Sequence, residues 1–155
     1  MALSRRSMLW IVPGATIAVP IGTRMFGGAL AAPVNAEGGI AVRGTDVVAY
    51  VTEGRPVPGR AEFTHAWQGA TWRFASAANR DRFAADPTRY APAYGGFCAY
   101  AVSEGYTAPI DPAAWRIVEG RLFLNHDRAV QRRWGRDIPG RIARADANWP
   151  RLAAR

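Results

Sequence analysis

The single cysteine of this chain, Cys98, stands in Tyr94-Gly95-Gly96-Phe97-Cys98-Ala99-Tyr100, behind two glycines and among three aromatic rings. A lone thiol makes no internal disulfide and builds no metal site by itself. Three readings stay open: a thiolate in redox or nucleophilic work, a soft-metal ligand acting with another residue, or a small buried apolar residue. Two histidines are available as partners. His65 lies in Phe63-Thr64-His65-Ala66-Trp67, and His126 stands just before Asp127. Either imidazole beside Cys98 would activate the thiolate, or would complete a thiolate–imidazole pair suited to copper. The acids are scattered, and no Ser/His/Asp set or carboxylate pair has motif context.

The elements that must position these groups are short. Asp46-Val47-Val48-Ala49-Tyr50-Val51 reads as a strand or a single helical turn after a loop from Glu37 to Gly44. Phe63, His65 and Trp67 alternate with polar or small residues, and Trp72 and Phe74 do the same beyond Gln68-Gly69. Period two on both sides of a glycine turn predicts a β-hairpin with one aromatic face. Ser76 is placed to cap a helix running to about Ala85, stopped by Asp86-Pro87. A second hairpin is predicted from Trp115–Val118 and Leu122–Leu124 across Glu119-Gly120. Asp127 and Asp137 are placed to cap two closing helices, separated where Pro139-Gly140 interrupts the apolar stripe. The expected fold class is α+β, with small antiparallel hairpins and short helices packed at one side.

At 155 residues the chain has room for one ordinary domain. Its net charge of +8 comes from 20 arginines and no lysine, and it is unevenly placed. Residues 37–110 balance seven arginines against seven acids, whereas residues 111–155 carry ten arginines against five acids. The basic end could draw an anionic surface or partner, or simply be a solvated helix face. The first 36 residues have the form of an address. Ser4-Arg5-Arg6-Ser7 precedes a short apolar run broken by Pro13 and Pro20. A basic start, a short apolar stretch and small residues beyond describe an export signal, and the arginine pair resembles the twin-arginine (Tat) type. Cleavage after Ala31 or after Ala36 would suit it, leaving a single domain over about residues 37–155. The expected location is the periplasm, with a mature form that does not span the membrane. The neutral middle and the export signal argue against nucleic acid as a partner.

The middle of the chain resembles the YHS-domain family. The resemblance rests on Trp72-Arg73-Phe74-Ala75-Ser76, Phe83 and Asp86-Pro87-Thr88-Arg89-Tyr90. It extends to an exported bacterial subgroup through Gly44–Tyr50, Tyr94–Tyr100, Leu122-Phe123-Leu124-Asn125 and Ala145-Asp146-Ala147-Asn148-Trp149-Pro150. In some members of that subgroup a selenocysteine stands at the position of Cys98, which implies redox or soft-metal chemistry there. In metal-sensing relatives the short helix carries two cysteines, at positions matched here by Ala75 and Asn79. Both thiolates are missing, so the wider family's metal site is not expected in this chain. Gly95-Gly96 is expected to allow positive φ and a close approach, and Tyr94, Phe97 and Tyr100 are expected to wall the thiol.

The expected function is therefore a periplasmic module with one redox thiol, Cys98, resolved by an external thiol or a partner protein. The alternative is a non-enzymatic module holding copper or another soft metal through Cys98 with His65 or His126, and a third is a structural interaction domain. If the address is of the twin-arginine type, replacing Arg5 and Arg6 together by lysine will hold the protein in the cytoplasm. Recovery of the double variant from the periplasm at the parental level and processed mass would refute that expectation.

Overall fold

The aromatic alternation folds as expected in the computed structural model, which describes residues 33–155. Strands β3 (Arg60–Trp67) and β4 (Ala70–Phe74) form an antiparallel hairpin with His65 opposite Trp72 and Trp67 opposite Ala70. Gln68 and Gly69 both take positive φ, 48° and 74°. That pair of left-handed residues matches the twist of a two-residue hairpin turn. The aromatic face packs on Phe83, whose ring centroid lies 5.0 Å from Trp72, 5.1 Å from Phe74, 5.7 Å from Trp67 and 6.0 Å from His65. Phe83 comes from α2 (Ala77–Ala85), whose first turn is capped by Ser76 Oγ accepting from the Asn79 N–H at 3.1 Å. Asp86 ends α2 and caps the single turn α3 (Pro87–Tyr90).

Two further strands widen this sheet. The segment read as a loop contains β1 (Ala36–Glu37) and β2 (Ile40–Ala41), and the strand order is β1-β2-β4-β3. β2 meets β4 in parallel through Ile40 and Thr71. Asp46 opens α1 (Val47–Thr52), so the helical alternative holds for that stretch. The second hairpin, β5 (Asp111–Val118) and β6 (Arg121–Asn125), forms a separate two-stranded sheet. It packs with α4 (Ala99–Ser103), α5 (Arg128–Trp134) and α6 (Ile138–Ala153). Asp127 and Asp137 cap α5 and α6 by accepting from Val130 N–H at 2.7 Å and Gly140 N–H at 3.0 Å. With six α-helices and these small sheets among the described residues, the fold is α+β. Among the described residues no helix is long and apolar enough to cross a membrane.

One buried carboxylate ties the first half together. Asp46 is 0% exposed, and four donors reach it. Oδ1 accepts from the Val48 and Ala49 N–H groups at 2.9 and 3.2 Å. Oδ2 accepts from the Ala75 N–H and the Asn79 amide, both at 2.8 Å. One side chain thereby joins the start of α1, the end of β4 and the first turn of α2. Burying a carboxylate is tolerable only with such a full donor set.

The chain before β1 acts as a strap over the Tyr94–Gly96 turn. Asn35 N–H donates to Gly95 O at 2.8 Å, and the Asn35 amide donates to Gly96 O at 3.0 Å. Gly95 has φ 61°, and the Pro33 carbonyl occupies the space a Cβ would need, so only glycine fits. The export signal itself falls on residues outside those described. Of its two candidate cleavage positions, the one after Ala36 would remove this strap.

Two outcomes follow for stability. Asp46→Ala leaves four donors without an acceptor in the core and is expected to cost about 3–5 kcal/mol in a urea unfolding curve; a loss under about 1 kcal/mol would remove Asp46 from its role. A chain beginning at Glu37 is expected to be about 2–3 kcal/mol less stable than one beginning at Ala32, and equal stabilities would show the strap to be dispensable.

Candidate functional site

Cys98 is the residue immediately before α4, and no side-chain bond caps that helix. Its backbone is pinned on both sides: its N–H donates to Ala108 O at 3.0 Å, and its carbonyl accepts from Val102 N–H at 3.0 Å. The residue is 1% exposed and belongs to the first hydrophobic core. The Sγ lies 3.8 Å from the Asn125 side-chain oxygen, which also accepts from the Tyr100 N–H at 3.2 Å. Asn125 is wholly buried at the end of β6, and its amide nitrogen has no hydrogen-bond partner among the described residues.

Opposing forces act on the thiol. Burial pushes its pKa up, and the negative charge of Asp127 adds to that. The N–H groups of Ala101, His126 and Tyr100 pull it down, but burial prevails and the net shift is upward. The sulfur is therefore a protonated thiol at neutral pH, although backbone donors are in place for the thiolate.

Cys98 also borders a cavity of about 270 Å³. Tyr100, Tyr106, His126, Val130 and Arg133 line it with the cysteine. Tyr106, at its edge, is 52% exposed. His126 is exposed, and its Nδ1 lies 3.2 Å from the Pro109 carbonyl oxygen. A carbonyl only accepts, so Nδ1 is the protonated nitrogen of the neutral ring and Nε2 keeps its lone pair.

The structure thus brings Cys98 and His126 to one cavity and puts His65 elsewhere. His65 is half-buried on β3, its ring edge-on to Phe83. The aromatic wall expected around the thiol is only partly there. Tyr100 lines the cavity, whereas Tyr94 and Phe97 pack against Trp149 of α6, with centroids 5.9 and 6.3 Å away. The donors that face the sulfur come from Tyr100, Ala101 and His126, not from the Gly95-Gly96 turn, whose partner is the Pro33–Asn35 strap. Asn125 was not singled out as a site residue, although it ends the Leu122–Asn125 motif and its side chain reaches both Cys98 and α4.

The metal positions of the resemblance hold no donors for a soft metal. Ala75 contributes only its N–H, and the Asn79 amide is spent on Asp46. The full Asp46 donor set leaves that place closed to a four-ligand site. Among the described residues no three His, Cys, Asp or Glu side chains are grouped to hold a metal ion.

In comparison with known proteins, the model of the YHS domain matches residues 48–94. No curated protein and no solved structure matches the chain. The matched stretch runs from α1 to the Tyr94 turn and takes in the aromatic hairpin and α2, while Cys98, Asn125 and His126 lie beyond it. Residues 48–94 of this chain are a YHS domain.

Proposed function

We propose that the protein is a periplasmic module built on its YHS domain, exported by the twin-arginine route, in which Cys98 performs thiol–disulfide exchange. The observation that carries the reading is the cavity shared by Cys98, His126 and Arg133. His126 lines that cavity and would take the thiol proton there, and the Tyr100, Ala101 and His126 N–H groups stabilise the thiolate once it forms. The Cys98 thiolate attacks one sulfur of an external disulfide, forms a mixed disulfide and releases the other sulfur as a thiolate. An external thiol or a partner's thiol then attacks the mixed disulfide at the substrate sulfur, and Cys98 leaves reduced. No second cysteine in the chain is needed for this balance. The likeness to an exported subgroup in which selenocysteine takes the place of Cys98 supports the same reading.

A second reading is supported by the same pairing. A thiolate and an imidazole with a free Nε2 suit monovalent copper, a soft ion. Copper bound at one equivalent, and lost in both Cys98→Ser and His126→Ala, would favour it.

Alkylation of the folded chain by iodoacetamide, followed by mass against pH, tests the proposal. Because burial raises the folded-state pKa, the labelling rate is expected to climb through a midpoint above the ordinary thiol value of about 8.5. The same shift makes the folded state lose stability as pH rises past the unfolded thiol's pKa, where only the unfolded chain ionises readily. His126→Ala is expected to slow reaction with a small disulfide near neutral pH while leaving the unfolding curve unchanged. Labelling seen only in denaturant at every pH would leave Cys98 as a packing residue and end both readings.

A further inference from the structure

A second cavity, of about 290 Å³, opens where the Gln68, Gly95 and Gly120 turns converge, and it shares no lining residue with the Cys98 cavity. Its walls carry aromatic rings. Trp67 of β3 packs on Trp72 with centroids 5.7 Å apart, and Trp149 of α6 packs on Tyr94 at 5.9 Å. Trp67 and Trp149 are only half-buried, so part of each indole faces outward.

The charges at the cavity are equally specific. Arg121 grips Asp146 with two bonds, Nη1 to Oδ2 at 3.1 Å and Nη2 to Oδ1 at 2.9 Å. Its guanidinium lies 5.0 Å from the Phe123 ring centroid, and the Tyr94 hydroxyl donates to Asp146 Oδ1 at 2.8 Å. This triad holds Arg121 in place and cancels its charge. Arg89 of α3 is exposed beside the cavity and, among the described residues, has no carboxylate partner. The cleft therefore combines flat apolar walls, a fixed guanidinium fork and one uncompensated positive charge.

Tyr94 shows how firmly the wall of this cavity is held. It is a bulky non-glycine residue held at φ 58° and ψ 38°, where its Cβ is crowded. The turn is held there by its bond to Asp146 and by the strap on Gly95.

From this geometry we infer that the cleft binds a small anion with a flat apolar body, the class of an aryl carboxylate. The ring lies against Trp67 and Trp149, and the carboxylate meets Arg89. The volume is at the lower limit of ligand pockets, which suits a one-ring ligand. A cation would meet net positive charge.

Tryptophan fluorescence of the full chain, titrated with phenylacetate and with neutral phenylacetamide, tests the inference. Phenylacetate is expected to give a saturable change, with the amide about tenfold weaker. Arg89→Gln, an exposed substitution, is expected to erase the preference for the acid while the circular dichroism spectrum stays unchanged. No saturation by about 10 mM, equal affinity for acid and amide, or full phenylacetate affinity in Arg89→Gln would each overturn it.

Discussion

The Asp46 carboxylate is the interaction on which the first half of the molecule depends. A buried carboxylate is among the most costly groups to desolvate, so its presence in a core requires that both oxygens be fully occupied. Here they are, by donors from three elements separated in sequence by up to 33 residues. The consequence is positional. With the start of α1, the end of β4 and the first turn of α2 fixed to one group, Phe83 is brought down on the aromatic face of the hairpin. The resemblance places thiolates at Ala75 and Asn79 in metal-sensing relatives. In this chain the same two positions serve the carboxylate, a cross-link made of hydrogen bonds where those relatives have metal ligands.

The Cys98 segment depends on that frame from the outside. The strap at Pro33–Asn35 holds the Tyr94–Gly96 turn from one side, and α6 holds it from the other. Several residues of α6 share in this. Ala145 is fully buried, and Asp146 takes the Tyr94 hydroxyl. The Asn148 amide donates to the carbonyls of Val102 and Ser103 at 3.0 and 3.2 Å, and Trp149 packs on Tyr94 and Phe97. Arg141 adds a guanidinium 4.2 Å from the Tyr100 ring centroid and an ion pair to Glu104. Some of the basic C-terminal charge is thus structural.

What the sequence makes legible follows from how local each signal is. Both hairpins turn at a glycine, the first with a period-two pattern, and Ser76, Asp127 and Asp137 carry cap signals that act within three residues. These elements form because nothing distant is needed for them, although the break between the closing helices falls at Gly135–Asp137, and Pro139-Gly140 sit in the first turn of α6. The two-residue strands β1 and β2 carry too little pattern to be seen, and their place beside β4 is decided by tertiary pairing. Helix α4 is hidden for another reason: its capping position is Cys98, which makes no side-chain bond there. The neighbours of Cys98 are the least legible part. Asn125, His126 and Ala108 reach it through contacts spanning 10 to 28 residues, and no periodicity encodes them.

The same contacts decide what the thiol can do. Desolvation is the largest influence on Cys98, and three backbone N–H groups oppose it. Those donors belong to fixed backbone and persist when the cavity fills, whereas desolvation depends on what occupies the cavity. Water or the polar end of a substrate beside Sγ would weaken the burial penalty and leave the donors in place, so the pKa would fall on occupancy. The burial of Sγ, more than the donors around it, thus decides whether Cys98 ionises.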